Sequence, residues 1–407
     1  MRRACLGAIA LLSCAAWADD DAALRLADAT RQETDAARDA KLLLEAAAIV
    51  NDGAADTRRL SLDWRWDGRL GPAWRGVFSD RLDQGFGGAE GGSRGVNTLR
   101  EAYLSREFGN DAMLDIGRIN TRYGVALGYN PTDFLGEGTV RSVVSADQES
   151  LRRNRLGNAM LRWQKLWNDA SLTAIWSPKL GDAPSSAGMS LDWGASNPRE
   201  RALIAFSYRF SETLNPQWLL FQEQGQPPQL GFNLSRLLGD ATVAYLEWAG
   251  GRQSPDWQAW LGQAQHGWRN RLALGATWTG GSKLSLTLEG EHDGGAPDAA
   301  GWQALRQSAC CGAYRAAQGV GVTRLVTRQA ALLRANWQDA LLDGLDLTAM
   351  RNVSLVDHSA MDWAEARYHW SRVDLALQWQ RFAGAPSTQY GAATPRQSWQ
   401  LVFDYFH

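Results

Sequence analysis

The chain has 407 residues, with 42 basic and 44 acidic residues and a mean hydropathy of −0.35. This near balance of charge argues against a protein that binds nucleic acid. The low hydropathy does not argue against a membrane protein, because only alternate residues of a membrane β-strand face lipid. Twenty tryptophans are far above ordinary usage and suit the interfacial aromatic girdles of such proteins.

Residues 1–18 have the form of a secretory signal peptide. Arg2 and Arg3 precede a short apolar run, and residues 16–18 form an Ala-x-Ala cleavage site. A lipoprotein site at Cys14 is a less favoured alternative. The signal predicts export from the cytoplasm.

Only two cysteines, the adjacent Cys310 and Cys311, follow the signal peptide. Neighbouring cysteines rarely form a disulfide bond, and no histidine lies close enough in sequence to complete a metal site. The sequence therefore predicts neither a disulfide framework nor a metal site, and it places both cysteines in an exposed loop.

No run of 18 apolar residues follows the signal peptide, so no transmembrane helix is predicted. From residue 58 onward the chain instead forms a series of segments in which apolar and polar residues alternate. The clearest segment covers residues 202–210. Its apolar positions are Ala202, Ile204, Phe206, Tyr208 and Phe210.

Short turns alternate with long polar or glycine-rich connections, as in membrane β-barrels. The long connections are 84–96, 120–154, 178–199, 251–267, 293–323 and 385–395. About 17 strands follow residue 58, and the alternation requires one ascending strand before them. Residues 42–50 are the candidate, although this run also suits a helix. We predict an all-β fold, a transmembrane antiparallel β-barrel of about 18 strands, with 16 as the alternative.

The last nine residues predict how the barrel closes. Trp399, Leu401, Phe403 and Tyr405 occupy alternate positions, so a strand places them on one face. In an outer-membrane barrel such a final strand pairs with the first and presents its apolar face to lipid. A last strand of a soluble β-protein is the alternative. The predicted organisation is a signal peptide (1–18), a short periplasmic segment (19–41) and a barrel in the bacterial outer membrane (42–407).

Catalytic chemistry has little support in the sequence. A hydrolase needs a nucleophile beside a histidine, and His358-Ser359 is the only close pair of this kind. Neighbours along a strand point to opposite faces. The glycine-rich run 85–92 lacks the Lys-Ser/Thr ending of a phosphate-binding loop. We therefore predict no enzyme activity and no cofactor.

Charged residues concentrate between positions 118 and 155. The stretch is either a solvated outer loop or a loop folded into the lumen, where arginines facing carboxylates select solutes. On the second interpretation the candidate constriction residues are Arg118, Arg122, Asp133, Arg141, Asp147, Glu149, Arg152 and Arg153.

Part of this stretch resembles a known family. Residues 114–124, Leu-Asp-Ile-Gly-Arg-Ile-Asn-Thr-Arg-Tyr-Gly, are followed by Asn-Pro-Thr-Asp-Phe at 130–134. The pattern resembles the alginate-export and related porin-like outer-membrane families. The resemblance implies a transport channel without naming its cargo. The chain lacks the dense Arg/Lys ladder along many strands that an exporter of polyanions would need.

The predicted function is passage of a small polar solute or a secreted polysaccharide through the outer membrane. The expected partners are outer-membrane lipid and the solute, and nucleic acid is not expected. Two alternatives differ in kind. One is a plugged structural or assembly barrel that serves a periplasmic partner through residues 19–50. The other, less favoured, is an outer-membrane hydrolase.

Overall fold

The computed structural model describes residues 40–88, 93–182, 187–318 and 323–407. Within these residues the chain forms one closed antiparallel sheet of 18 strands, as the sequence predicts. Closure is direct, because the first strand pairs with both the second and the last. The predicted signal peptide and most of the predicted periplasmic segment lie outside the described residues.

The strands follow one another around the barrel in sequence order. They are Ala40–Asn51 (β1), Thr57–Arg69 (β2), Trp74–Gly87 (β3), Ser93–Phe108 (β4), Ala112–Ile119 (β5), Asn158–Leu166 (β6), Ala170–Ser177 (β7), Arg201–Tyr208 (β8), Gln217–Glu223 (β9), Gln229–Leu238 (β10), Thr242–Gln253 (β11), Gly267–Thr279 (β12), Leu284–Asp293 (β13), Gln329–Trp337 (β14), Leu345–Ser354 (β15), Ala360–His369 (β16), Val373–Ala383 (β17) and Gln397–Phe406 (β18). Among the described residues, five helices lie in the connections: Gln148–Arg153 (α1), Trp193–Ser196 (α2), Asp256–Trp260 (α3), Ala299–Gln307 (α4) and Cys311–Gln318 (α5).

The alternation of residues along each strand separates the two faces of the wall. In β8, Leu203 and Ala205 are buried inside the barrel, whereas Ile204 and Phe206 are exposed outside. An apolar side chain on the outer surface is unfavourable in water and favourable in lipid. The outer surface is therefore that of a membrane-spanning barrel. In the described part of the chain, no helix is long and apolar enough to cross a membrane.

The two ends of the barrel differ in their connections. One end carries short turns, such as 109–111 and 239–241, and both ends of the barrel chain, where the His407 amide donates to the Leu42 carbonyl. The other end carries the long connections, including 120–157 and 294–328. Short turns mark the periplasmic side of a membrane barrel. We call the end with long connections the outer end.

Several predicted boundaries need correction. β1 begins at Ala40, and the ambiguous run 42–50 is a strand because both of its edges find partners. The predicted long connection 84–96 is mostly strand, since β3 and β4 extend into it as a paired ribbon. The outer end also holds short connections, 224–228 and 355–359, so the alternation in length is less regular than predicted.

The cysteines also differ from the prediction of an exposed loop. α5 begins at Cys311, which packs with Trp257, Trp302 and Tyr314 in a buried cluster. Cys310 is half-buried beside this cluster. The outer connections therefore carry a small apolar core of their own, which gives them a defined structure outside the membrane.

The last strand tests the register directly. Phe403 is 46% exposed on the outer face, whereas Val402 is 3% exposed and packs inside the barrel with Ala47 and Ala376. Replacing Phe403 by arginine places a charge against lipid and costs about 2–4 kcal/mol near the bilayer midplane. We expect the Phe403→Arg variant to lose heat-modifiable migration on gels. The near-isosteric control Val402→Thr should keep it, and equal behaviour of the two variants would contradict the register.

Candidate functional site

The connection between β5 and β6, residues 120–157, folds into the barrel, and we call it the lumenal segment. Its backbone contacts inward-facing carboxylates on distant strands, Glu247 of β11 and Glu289 of β13. Around an 18-stranded ring these strands lie far from β5, where the segment begins. The segment therefore reaches the far wall of the lumen.

Glu247 holds one part of the segment. Its Oε2 accepts hydrogen bonds from the amides of Val125 (3.1 Å) and Ala126 (3.2 Å). Its Oε1 accepts from the amide (2.7 Å) and the hydroxyl (2.8 Å) of Thr132. The Asn130 side chain donates to Oε2 at 3.1 Å. A fully buried carboxylate needs such donors, because burial without them is costly.

Glu289 holds the next turn in the same way. Its carboxylate accepts from the amides of Leu127 (2.8 Å), Gly128 (3.0 Å) and Tyr129 (3.0 Å). The Tyr245 hydroxyl adds a fourth hydrogen bond at 2.7 Å. Hydrogen bonds to a charged group stabilise by about 1.5–3 kcal/mol each. The two carboxylates thus fix residues 125–132 against the wall.

Glycine is required where the segment approaches this wall. A Cβ on Gly128 would lie 2.4 Å from Glu291 Oε1, far inside van der Waals contact. Gly124 has a φ of +105°, and a Cβ there would lie 2.6 Å from both Glu247 oxygens. Glycine alone combines this close approach with a positive φ. The two glycines therefore permit the amides to reach the carboxylates.

The Asn-Pro-Thr-Asp-Phe run at 130–134 is part of this anchor. Asn130 and Thr132 bind Glu247, as described above. Asp133 forms a buried ion pair with Arg155 at the other end of the segment. Phe134 stacks on Phe221 of β9 with ring centroids 4.7 Å apart. The motif that carried the family resemblance thus acts structurally, by fastening the segment to itself and to the wall.

The lumenal segment also contacts the opposite side of the barrel. The Val144 carbonyl accepts hydrogen bonds from Arg59 of β2 (3.4 Å) and Gln400 of β18 (3.3 Å). Asn154 accepts from Arg100 of β4 at 3.3 Å. The segment therefore crosses the lumen from the β11–β13 wall to the β18–β4 wall and divides its cross-section.

Charged side chains line the wall next to this crossing. Glu45 of β1 pairs with Arg59 (2.6 Å) and Arg81 (3.0 Å), and Arg81 also pairs with Asp83 at 2.8 Å. Arg100 pairs with Asp63. We call these six residues the basic–acidic wall. Sequence reasoning missed this cluster, although its residues alternate with the lipid-facing positions of β1–β4.

A second charged cluster lies at the periplasmic end of the lumen. Arg367 of β16 pairs with Glu365 (3.0 Å) and with Asp404 of β18. The His369 Nδ1 lies 2.7 Å from Asp374 of β17. Carboxylates outnumber arginines in this cluster, whereas the basic–acidic wall has equal numbers of the two, so the net charge differs between the two levels of the lumen.

Four of the predicted constriction residues keep contact with solvent. Arg122 and Glu149 form a partly exposed ion pair at 3.0 Å, and Arg153 is exposed on α1. Asp147 caps α1 through the Ser150 amide (3.0 Å) and lies 3.5 Å from Arg334 of β14. These four side chains therefore remain at least partly open to solvent.

The other four are committed to structural contacts. Asp133 forms its buried ion pair with Arg155. The buried Arg152 donates to the Ala126 carbonyl and to the Asn130 side chain. Arg141 donates to the carbonyls of residues 97, 187 and 190, so it holds the 178–200 connection. Arg118 stacks over Trp193 of that connection, with its guanidinium carbon 4.3 Å from the ring centroid. The structure does not bring these four together around an opening.

The His358-Ser359 pair belongs to a hydrogen-bond network, centred on Asp357, in the outer connections. The Asp357 carboxylate accepts from the Ser359 hydroxyl (2.7 Å), the Gln389 amide (2.7 Å) and the Trp302 indole (2.8 Å). The Ser359 hydroxyl in turn accepts from the Tyr390 amide at 3.1 Å. His358 is exposed and has a φ of +59°. The serine is thus a structural bridge.

Comparison with known proteins supports the barrel and leaves the family open. No protein-family model matches the chain, and no curated protein matches it in sequence. The structure is similar to OccK5 (OpdH) of Pseudomonas aeruginosa, with a TM-score of 0.55, 12% identity and coverage of 90% of this chain and 97% of that one. OccK2 (OpdF) of the same organism gives 0.53, 14%, 90% and 96%. OccAB1 of Acinetobacter baumannii gives 0.50, 11%, 90% and 95%.

At these identities the similarity concerns the fold. It supports a closed outer-membrane β-barrel and does not single out the alginate-export family that the 114–134 motif suggested. Closed 18-stranded barrels of this kind lie in the outer membrane of Gram-negative bacteria. The chain is an outer-membrane β-barrel protein.

The anchor by Glu247 can be tested by hydrogen exchange. Glu247→Ala leaves buried donors without acceptors, at a cost of about 1–3 kcal/mol each. We expect the amides of residues 125, 126 and 132 to exchange at least about tenfold faster. The control Glu365→Ala removes a lumenal glutamate that does not contact the segment and should leave these amides protected. Unchanged exchange in Glu247→Ala would show that other contacts hold the segment.

The hydrogen-bond network at Asp357 predicts that the stability of the outer connections depends on pH. Burial raises the pKa of Asp357, but hydrogen bonds from Ser359, Gln389 and Trp302 outweigh it, so the pKa lies below its ordinary value. Its stabilising contribution is therefore present at neutral pH and is lost as pH falls below the ordinary aspartate range. Limited proteolysis near residue 389 should increase at acidic pH. An Asp357→Asn variant should be cut at neutral pH as well. Resistance of that variant to the protease would contradict a stabilising role of this hydrogen-bond network.

Proposed function

We propose that the protein is an outer-membrane channel for small polar solutes. The observation that carries this proposal is the lumenal segment, which is fastened to both walls and leaves charged side chains on its solvent-facing surface. A fixed segment that divides a barrel narrows the aqueous path to the scale of a small molecule. The selection is steric and electrostatic, without chemical turnover.

The charged side chains along the path determine which solute groups it binds. Arg59, Arg81 and Arg100 on the basic–acidic wall alternate with carboxylates. Arg122, Glu149 and Arg153 stand on the segment. Guanidinium groups bind carboxylate and phosphate groups through paired donors, whereas carboxylates bind ammonium groups. The wall arginines are largely buried in their ion pairs and set the local field, whereas the exposed Arg122, Glu149 and Arg153 offer partners to solute groups of both signs.

The alternatives from the sequence receive less support. A secreted polysaccharide needs a continuous wide passage, and a segment bonded to both walls opposes it. A plugged assembly barrel remains the second candidate, because a crossing segment also suits a plug. Its proposed partner surface, residues 19–50, lies mostly outside the described residues. For a hydrolase, the Ser359 hydroxyl is bonded to the Asp357 carboxylate and the Tyr390 amide rather than to a histidine.

Single-channel recording in planar bilayers separates channel from plug. We expect discrete conductance steps from the purified wild-type barrel. Weakening the anchor by Glu247→Ala should increase open-channel noise, because the segment then fluctuates in the path. A folded, heat-modifiable wild-type protein that gives no steps would support the plugged barrel instead.

Charge selectivity tests the position of the segment. Arg153 is exposed on α1, so Arg153→Glu should shift the reversal potential in asymmetric salt toward cation selectivity. Arg152 is unsuitable for this test, because its side chain holds Ala126 and Asn130. The control Arg199→Glu changes an exposed arginine of the 178–200 connection. Equal shifts in the two variants would remove α1 from the conducting path.

A further inference from the structure

A row of charged side chains crosses the lipid-facing surface of β15, β16 and β17. Arg351 lies opposite Asp362, and Asp362 lies opposite Arg381. Arg381 shares its face of β17 with the exposed Leu375 and Leu377, so it points out of the barrel. This row is separate from the lumen and from the proposed solute path.

The row lies at the level where the outer leaflet of the membrane meets water. Trp379 comes two residues before Arg381 on β17, and Trp399 of β18 lies opposite Trp379, with the two ring centroids 6.3 Å apart. Tryptophan favours the membrane interface. Two residues of a strand place Arg381 about 7 Å beyond Trp379 toward the outer end. Below the tryptophans, Leu401 and Phe403 continue as apolar outer surface.

The charges of the row do not cancel. Arg351 lies 3.1 Å from Asp362 and is still 55% exposed. Arg381 is exposed, and its side chain has no ion pair or hydrogen bond within the described residues. Two guanidinium groups thus accompany one carboxylate on a surface that faces lipid. An arginine there is least costly when it meets an anionic headgroup.

We propose that Arg351 and Arg381 bind the phosphate of an outer-leaflet lipid whose chains lie on the surface below. Strands lie about 4.8 Å apart, so the two arginines, two strands apart, are about 10 Å apart at their Cα atoms. Both long side chains reach a phosphate seated above Asp362. The guanidinium forks supply paired donors to its oxygens. The indoles of Trp379 and Trp399 lie at the level of the glycerol or sugar backbone.

Native mass spectrometry of the purified full-length barrel tests this site. The probes are phosphatidic acid, which carries a phosphate monoester, and phosphatidylcholine, added separately to the detergent-solubilised protein. We expect the wild type to retain phosphatidic acid in preference to phosphatidylcholine. Arg351→Gln with Arg381→Gln should reduce that retention by about fivefold for each arginine removed. Arg252→Gln, which changes a lone exposed arginine at the outer end of β11, should leave it unchanged.

Two further measurements keep the proposal open to refutation. Asp362→Asn removes the competing carboxylate, so retention should rise; a fall would contradict the charge-based account. Inorganic phosphate should not displace phosphatidic acid at equal concentration, because it lacks chains to lie on the apolar surface. Displacement would show a site for the free anion and overturn the lipid assignment. Equal losses in the double variant and in Arg252→Gln would reduce the effect to general surface charge.

Discussion

Two buried carboxylates, Glu247 and Glu289, determine what kind of interior this barrel has. A carboxylate inside a protein is tolerated only when donors surround it. Here most of those donors are backbone amides of a single stretch, residues 125–132. The dependence is mutual, since the amides of a loop that crosses a lumen also need acceptors. The far wall and the lumenal segment therefore specify each other, and the path through the barrel follows from their contact.

The closed sheet makes this contact durable. β1 pairs along both edges, with β2 and with β18, so the ring has no free edge at the junction of the chain ends. A closed ring of 18 strands is too wide to be filled by side chains alone, and a connection must supply what occupies it. The outer connections are organised separately, around Trp302, Tyr314 and the Asp357 carboxylate. Membrane wall, lumenal segment and outer cover thus have distinct sources of stability.

The architecture followed from the sequence because its signals are local. Alternation at 202–210 and 399–405 defines the faces, and the spacing of turns defines the count. The contacts of the predicted constriction residues were harder to predict, because the charge density of residues 118–155 does not reveal which arginine meets which partner. Arg152 and Arg153 are neighbours, yet one is buried against Asn130 and the other is exposed. The carboxylates that anchor the segment lie more than 110 residues away in sequence. A local sequence motif therefore cannot identify them.

A disulfide bond engineered between the lumenal segment and the far wall tests the position of the segment most directly. Leu127 packs against the cluster that contains Leu332 of β14. The engineered pair is therefore Leu127→Cys with Leu332→Cys, in a background where Cys310 and Cys311 are serine. Oxidation of the folded barrel should form this disulfide, as it should in a control pair at Ala376 and Val402 on facing strands. Single-channel conductance should persist after oxidation, since the segment is already at the far wall in the conducting state. Absence of the lumenal disulfide while the control pair forms, or loss of conductance when it forms, would contradict a channel built around a fixed segment.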